Sequence, residues 1–273
     1  MKRMNCDSVL IGPRSIELAG GLPLWKRVLD IAIILLFSPV AILVGLAVSV
    51  LVKLGSPGPV LFRQKRVGYK GREFVCFKFR TMKVNAETSS HQNHTAQLMR
   101  SDIPMTKLDA EDPRVAPFGT LLRATGLDEL PQLINVLRGD MSLVGPRPCV
   151  LYEYERYEPW QRRRFDAVPG LTGLWQVSGK NRLSFTEMIE LDIKYSQSIS
   201  LWLDLKIIAK TLPALWVQCM DTRAARKQAA ISKTIGAAPV RATRPDETNG
   251  SVAARAPING VRGTAADAVS SVR

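Results

Sequence analysis

The stretch Arg123–Asp140, with the sequence RATGLDELPQLINVLRGD, predicts the helix around which the rest of the chain is organised. Its apolar residues recur at the spacing of one buried helical face: Leu127, Leu130, Ile134 and Leu137. Thr125 is a candidate N-cap and Gly139 stands where a C-terminal cap belongs. Pro131 is compatible with an early turn, because that turn does not need the amide hydrogen that proline lacks. We therefore predict a helix that begins after Thr125 and ends before Gly139.

Two adjacent carboxylates, Asp128 and Glu129, fall in the first turn of this predicted helix. The partial positive charge of a helix N-terminus favours ionised carboxylates. In most helices an acidic pair at this place only stabilises the helix end. A chemical role for Asp128 and Glu129 therefore depends on the residues that surround them.

The composition of the chain predicts anionic partners and a reducing compartment. Its 273 residues are enough to bury one sizeable core, and its formal net charge is +14. Nucleic acid, phosphorylated small molecules and an anionic membrane surface all fit this charge. The four cysteines are widely scattered and form no C-x-x-C pair, which argues against a zinc site or a disulfide framework.

Residues 31–52 form an apolar run without a charged side chain, long enough to cross a bilayer. Pro39 lies within the run and cannot donate a backbone hydrogen bond, so the helix should bend there, and the hydroxyl of Ser38 can satisfy a freed carbonyl. Basic residues flank both ends: Lys26 and Arg27 before the run, Lys53 after it. Because positive flanks tend to stay on the cytoplasmic side, we expect a re-entrant helix-break-helix, with a kinked single span as the alternative.

The remaining patterns predict a hairpin, two helices and a tail. Residues 59–66 and 73–80 alternate as two short strands of a β-hairpin. Residues 185–195 and 201–217 predict helices; the second is amphipathic with tryptophans near its ends, and either lies in a membrane interface or packs on the domain. Beyond residue 221 hydrophobic periodicity is lost, which predicts a disordered basic tail.

The hairpin carries cations of one sign: Arg63, Lys65, Arg66, Lys78 and Arg80. A charged strand face is normally just solvated, but this number of like charges favours an anionic partner. The fold class predicted from all these patterns is α/β mixed and mostly helical, with a re-entrant N-terminal helix-break-helix, a short β-hairpin and amphipathic interfacial helices. We divide the chain into four segments: an N-terminal extension (1–24), a re-entrant membrane helix (25–55), a catalytic domain (56–220) and a disordered basic tail (221–273).

Five ordered motifs resemble those of the bacterial sugar transferase family, the monotopic polyprenyl-phosphate phosphoglycosyl transferases. They are KFRTM (78–82), DPR (112–114), LDELPQ (127–132), GDMSLVGPRP (139–148) and PGLTGLWQVSG (169–179). The resemblance runs from about residue 25 to about residue 217 and includes the Ser38-Pro39 break. One departure is Gly126, where the family commonly has serine.

The resemblance implies that the chain transfers a sugar 1-phosphate from a UDP-sugar to undecaprenyl phosphate, with magnesium. We expect UDP-glucose or UDP-galactose as the donor, with N-acetylated sugars left open. Asp128 would be the nucleophile and a ligand of the metal, with Glu129 as a supporting ligand or proton acceptor. Candidate phosphate-binding residues are Lys78, Arg80, Arg114, Arg123 and Arg147, because cations neutralise phosphates and an arginine fork matches a phosphate edge. The enzyme would lie in the bacterial inner membrane with its catalytic domain facing the cytoplasm, and initiate exopolysaccharide or related glycan synthesis.

The competing hypothesis is a membrane-tethered basic scaffold that binds anionic lipid or nucleic acid without catalysis. The net charge alone permits it. The acidic pair Asp128–Glu129 argues against it, because it would repel a polyanion, and the sequence shows no nucleic-acid-binding motif. The oligomeric state is left open, with a homodimer through the amphipathic helices as one alternative.

Overall fold

The computed structural model describes residues 21–83, 95–101, 103–105, 112 and 114–236. Besides a short helical segment at residues 95–99, the α-helices are α1 (Leu24–Gly55), α2 (Gly119–Thr125), α3 (Gln132–Arg138), α4 (Leu151–Tyr154), α5 (Leu174–Val177), α6 (Phe185–Gln197) and α7 (Leu201–Gly236). The strands are β1 (Leu61–Val67), β2 (Glu73–Phe79), β3 (Ser142–Val144) and β4 (Gly170–Thr172). The prediction of a mixed, mostly helical fold with a short β-hairpin is therefore confirmed.

Helix α1 packs on the rest of the protein at both of its ends and is exposed in its middle. Near its start Ile34 is buried, and near its end Val48 and Val52 are buried against Phe79 of β2. The apolar side chains between these ends are mostly exposed, as Leu36 is at 72%. Within the described residues, α1 is the one helix long and apolar enough to cross a membrane by length and composition.

Pro39 lies inside α1, which is assigned as helical along its whole length. The hydroxyl of Ser38 donates a hydrogen bond to the carbonyl of Leu35 at 2.9 Å. That carbonyl is the one that Pro39 leaves without its helical donor. The predicted compensation by Ser38 is confirmed.

The basic residues at the start of α1 bind protein groups. The ammonium of Lys26 is buried, donates to the hydroxyl of Tyr195 at 3.0 Å and forms an ion pair with Asp204 of α7. The guanidinium of Arg27 donates to the backbone carbonyls of Val136 and Leu137 at the end of α3. These contacts give Lys26 and Arg27 a structural role that does not depend on membrane orientation.

Strands β1 and β2 form an antiparallel hairpin whose predicted limits are correct to within two residues. Its register pairs Arg66 with Phe74, Gln64 with Cys76 and Phe62 with Lys78. Directly paired residues point to the same face of an antiparallel ladder. One face of the hairpin therefore carries Arg66, Cys76 and Lys78 together, while Arg63 and Lys65 belong to the opposite face.

The single helix predicted over 126–138 is wrong. Thr125 is the last residue of α2, and its hydroxyl donates back to the carbonyls of Leu121 and Leu122, so it is not an N-cap. Gly126 has a φ of 74°, which ends α2, and a 3₁₀ turn at Leu127–Glu129 precedes α3. Gly139, with a φ of 85°, does cap α3 as predicted.

The apolar face predicted for this stretch is also wrong in its second half. Ile134 and Leu137 are 42% and 46% exposed. The buried residues of α3 are Gln132, Asn135 and Val136. Asn135 lies beneath the hairpin, where its side chain accepts from the backbone of Phe77 at 3.1 Å and donates to the carbonyl of Val75 at 2.7 Å.

Two glycine-containing motifs meet where β3 pairs in parallel with β4. The register aligns Ser142 with Gly170 and Val144 with Thr172. A Cβ atom on Gly170 would lie closer than 3.0 Å to the backbone of Gly145, and a Cβ atom on Gly145 would overlap the backbone of residues 168–170. These glycines therefore permit a backbone approach that other residues would prevent.

Helices α6 and α7 begin at the predicted residues. The start of α6 is a capping box, in which Ser184 and Glu187 bond each other's backbone amides. Helix α7 continues to Gly236, so the prediction of disorder from residue 221 is wrong as far as that residue. Residues 1–20 of the N-terminal extension and 237–273 of the predicted tail lie outside the described residues.

Candidate active site

A cavity of about 380 Å³ opens between the hairpin, the turn after α2, the connection from β3 to α4, and α7. Six of the seven predicted site residues line it: Lys78, Arg114, Arg123, Asp128, Glu129 and Arg147. These side chains come from separate sequence motifs, and the fold brings them together in one cavity. The cavity combines two carboxylates from one turn with cations from several elements.

Asp128 and Glu129 lie in the 3₁₀ turn between α2 and α3. Asp128 is 8% exposed and lines the cavity, so its carboxylate is shielded from bulk water without being sealed in the core. The carboxylate of Glu129 accepts from the ammonium of Lys78 at 2.7 Å. The left-handed conformation of Gly126 sets the direction in which this turn leaves α2.

Arg114 and Arg123 reach the cavity from the segment before the acidic turn. The guanidinium of Arg114 binds Asp112 through Nη2 at 2.7 Å and Nε at 2.8 Å. The hydrogen bonds from Arg114 lower the pKa of Asp112 below its usual range, so this pair is ionised at neutral pH. Arg123 lies in the last turn of α2, and its backbone carbonyl accepts a hydrogen bond from the side chain of Gln218 in α7 at 3.0 Å.

Arg147 enters the cavity from the turn after β3 and is held by Glu153. Its Nη1 and Nη2 atoms lie 2.9 and 3.3 Å from the two carboxylate oxygens of Glu153, a forked geometry. Burial by itself raises the pKa of Glu153, but the charge and hydrogen bonds of Arg147, with Arg66 and Arg164 nearby, bring that pKa below its usual value. Glu153 is therefore an ionised, buried support for Arg147.

Arg80 is the predicted site residue that the structure places elsewhere. It is 7% exposed, and its guanidinium donates to the backbone carbonyls of Ser56 at 2.6 Å and Pro57 at 2.7 Å. These carbonyls follow the end of α1, and Arg80 does not belong to the cavity lining. The prediction that Arg80 binds phosphate is corrected to a structural role, in which Arg80 joins the hairpin to the end of α1.

Sequence reasoning missed Arg66 and Glu153 as site residues. Arg66 stands on the same hairpin face as Lys78 and lines the cavity. Its position follows from the strand register, because Arg66 and Lys78 both occupy even positions of a hairpin whose odd positions face away. No sequence signal identified Glu153, which lies outside the quoted motifs and acts through Arg147.

Cys76 is another potential nucleophile that lines the cavity. Burial raises the pKa of the Cys76 thiol above its usual value, despite the opposing charges of Lys78 and Arg66. A neutral thiol is a weak nucleophile. The carboxylate of Asp128 is the better candidate for a nucleophile in this cavity.

The carboxylates suit a magnesium ion that is shared with a phosphorylated ligand. Among the residues that the structure describes, no group of three or more potential ligands forms a complete metal site. Magnesium usually takes one or two carboxylates and completes its shell with phosphate oxygens and water. Asp128, beside Glu129 at the cavity wall, fits that mode of binding.

Comparison with protein families assigns the chain to a family whose members transfer sugars, and the fold and the cavity are consistent with that assignment. The profile of the bacterial sugar transferase family matches residues 22–218, and the chain therefore belongs to that family.

Curated relatives carry names that describe sugar transfer or polysaccharide production. The chain is 44% identical over 204 residues to the UDP-glucose:undecaprenyl-phosphate glucose-1-phosphate transferase of Caulobacter vibrioides, covering 70% of this chain and 69% of the relative. It is 39% identical over 191 residues to the exopolysaccharide production protein ExoY of Sinorhizobium fredii, covering 70% of this chain and 84% of ExoY.

Other relatives are considerably longer than the region they share with this chain. The galactosyl transferase CpsE of Streptococcus agalactiae is 48% identical over 158 residues, which cover 57% of this chain and 34% of CpsE. An uncharacterised sugar transferase of Haemophilus influenzae is 42% identical over 198 residues and is covered over 40% of its length. The shared region is thus one part of these larger proteins.

Proposed function

We propose that this protein transfers a sugar 1-phosphate from a UDP-sugar to undecaprenyl phosphate and so initiates exopolysaccharide or related glycan synthesis. The observation that carries the proposal is the position of Asp128 in a cavity with Lys78, Arg123 and Arg147. Relatives from Caulobacter vibrioides and Escherichia coli are both named UDP-glucose:undecaprenyl-phosphate glucose-1-phosphate transferases, which supports the same reaction. A galactose transferase among the relatives keeps UDP-galactose as an equal candidate donor.

The proposed reaction proceeds through Asp128 in two displacements. In the first, a carboxylate oxygen of Asp128 forms a bond to the phosphorus that carries the sugar, and the bond to the other phosphate breaks, so UMP leaves with that bonding pair. In the second, a phosphate oxygen of undecaprenyl phosphate attacks the same phosphorus and Asp128 leaves as a carboxylate. One P–O bond is formed and one is broken in each step.

The cations of the cavity stabilise the charge that these steps move. Phosphoryl transfer depends chiefly on positioning and on charge neutralisation around the phosphates. Lys78, held by Glu129, and Arg123 lie beside the acidic turn, and Arg147, held by Glu153, lines the same cavity. Bound at Asp128, magnesium would supply further neutralisation of the diphosphate.

We further propose that α1 is re-entrant and that the catalytic domain faces the cytoplasm. A straight helix of 32 residues is about 48 Å long, more than the thickness of the hydrocarbon core. Ile34 and Val52, toward opposite ends of α1, are both buried against the same folded body. A spanning helix would instead place its ends on opposite sides of the membrane, so these contacts support entry and return on one side.

The outer surface beside α1 supports partial immersion of the domain. Trp202, Leu212 and Trp216 of α7 are 77%, 75% and 70% exposed, which is unusual for large apolar side chains facing water. Tryptophan prefers the interfacial region of a bilayer. We propose that α7 lies in the headgroup layer, which would bring the cavity to the height of a lipid phosphate.

Cysteine labelling tests this topology. In a variant without native cysteines, Leu24→Cys and Leu54→Cys place single thiols at exposed positions near the two ends of α1. Both thiols are expected to react with a membrane-impermeant maleimide in inside-out vesicles and to be protected in intact cells. Labelling of the two positions from opposite sides would establish a span and overturn the re-entrant proposal.

A donor panel tests the proposed function. Membranes that contain the protein are incubated with undecaprenyl phosphate, magnesium and one radiolabelled UDP-sugar at a time, and the lipid is extracted. We expect labelled lipid and an equal amount of UMP with UDP-glucose or UDP-galactose. If no UDP-sugar gives labelled lipid, the proposed function is incorrect.

A further inference from the structure

Among the residues that the structure describes, the cavity contains a second group of cations that make no ion pair with the acidic turn at Asp128 and Glu129. Arg66 of β1 and Arg147 of the turn after β3 both line it, and both are anchored at the same place. Arg147 is held by Glu153, and the Nη1 atom of Arg66 donates to the carbonyl of Pro148 at 3.1 Å. The residues that hold the two guanidinium groups therefore belong to one short segment, 147–153.

The strand register separates this pair from the cations around Asp128. Arg66 is paired with Phe74, and Lys78, which binds Glu129, lies four residues further along β2 on the same face. At about 3.3 Å per residue, these two positions are about 13 Å apart along the hairpin. Cys76 stands between them and also lines the cavity. The two groups of cations thus mark two ends of one wall.

The charge at the Arg66 end is incompletely balanced by the groups that the structure places there. Burial lowers the pKa of Arg66, and the neighbouring charge of Arg147 lowers it further, so the two guanidinium groups repel each other. Both forked contacts of Glu153 go to Arg147. The Nε atom of Arg66 is buried and has no hydrogen-bond acceptor among the residues that the structure describes. An anion with several acceptor oxygens, bound in the cavity beside both guanidinium groups, would reduce the repulsion between them.

We propose that Arg66 and Arg147 form a second phosphate subsite, distinct from the one at Asp128, and that Glu153 is the residue that positions it. The inference rests on the proposed transfer reaction, which involves a phosphate besides the one that Asp128 attacks. That group is either the phosphate of the departing nucleotide or the phosphate of the lipid acceptor. Both are monoester phosphates, and two guanidinium groups at one end of the cavity suit either of them.

Direct binding to the full-length protein tests the subsite. The affinities of UMP and of a short-chain polyprenyl phosphate are measured separately, without turnover, for the wild type and for Arg66→Gln. Loss of charge-assisted hydrogen bonds is expected to weaken binding of one probe about tenfold or more. The probe that is affected identifies the source of the phosphate.

Arg63→Gln is the matched control, because it removes the same charge from the opposite face of the same strand. It is expected to leave both affinities within twofold of the wild type. Arg66→Lys distinguishes an effect on folding from an effect on phosphate binding, because lysine keeps the positive charge but not the forked donor geometry. It is expected to give an intermediate affinity at an unchanged melting temperature. If Arg66→Gln changes neither affinity more than Arg63→Gln does, the subsite is excluded.

The role of Glu153 is tested by Glu153→Gln and Glu153→Asp. Loss of its charge is expected to raise the dissociation constant of the same probe as Arg66→Gln, and aspartate is expected to restore part of the affinity at equal protein stability. Unchanged affinity in a folded Glu153→Gln protein would overturn the positioning role. A wild-type protein that shows this Arg66-dependent binding but transfers no sugar phosphate would disprove the proposed function and still support the subsite.

Discussion

Asp128→Asn is expected to release no UMP from a UDP-sugar and to form no sugar-linked lipid, with a loss of activity of at least about 1,000-fold. The asparagine side chain has the same shape but carries no negative charge with which to attack phosphorus. The measurement is UMP release together with extraction of labelled lipid, using membranes with equal amounts of folded protein. The effect should appear in kcat, because the change removes the group that forms the intermediate.

Asp166→Asn provides the control for this experiment. Asp166 makes an exposed ion pair with Lys70, at 2.6 Å, and does not line the cavity. Exposed pairs contribute at most about 1 kcal/mol to stability, so this variant should keep wild-type turnover. If Asp128→Asn transferred sugar phosphate as fast as Asp166→Asn, a different residue would have to be the nucleophile.

Gly170→Ala is expected to prevent normal folding. The added methyl group would overlap the backbone of Gly145 and the carbonyl of Thr172, neither of which is a flexible side chain that can move away. Separating β3 from β4 would also displace Arg147, which follows Gly145 in the chain. We expect a loss of more than about 3 kcal/mol of unfolding free energy, seen as a drop of at least about 6 °C in melting temperature or as failure to accumulate in membranes.

Gly139→Ala distinguishes this steric effect from a general sensitivity to glycine replacement. Gly139 also has a positive φ, but no atom lies within 4 Å of the position that a Cβ would take. Only backbone strain of about 1–2 kcal/mol opposes alanine there. A Gly170→Ala protein as stable as Gly139→Ala would show that β3 and β4 do not approach as closely as described.

The elements that sequence reasoning predicted well are those with a strong local signal. The hairpin and the starts of α6 and α7 were evident from residue alternation and from the pattern of apolar residues. The single helix around Asp128 was not predicted correctly, because the apolar spacing that starts at Leu127 runs without a break through the 3₁₀ turn and into α3. A single sequence does not reveal whether a glycine lies within a helix or ends one.

The candidate site was predictable in its residue types but only partly in its assignments. Five ordered motifs identified Asp128 and most of the cavity cations, and the strand register would have added Arg66. Arg80 shares a motif with Lys78, yet it binds the carbonyls that follow α1. Which cation supports the fold and which faces the cavity depends on tertiary packing, which local sequence does not encode.

The most direct test of the central claim is the mass of the protein after incubation with a UDP-sugar and magnesium in the absence of lipid acceptor. We predict one hexose phosphate per chain, located by peptide fragmentation on Asp128, together with about one equivalent of UMP. Addition of undecaprenyl phosphate should remove the adduct and produce the sugar-linked lipid. Transfer at the normal rate without any adduct on Asp128, or with the adduct on another residue, would contradict the assignment of Asp128 as the nucleophile.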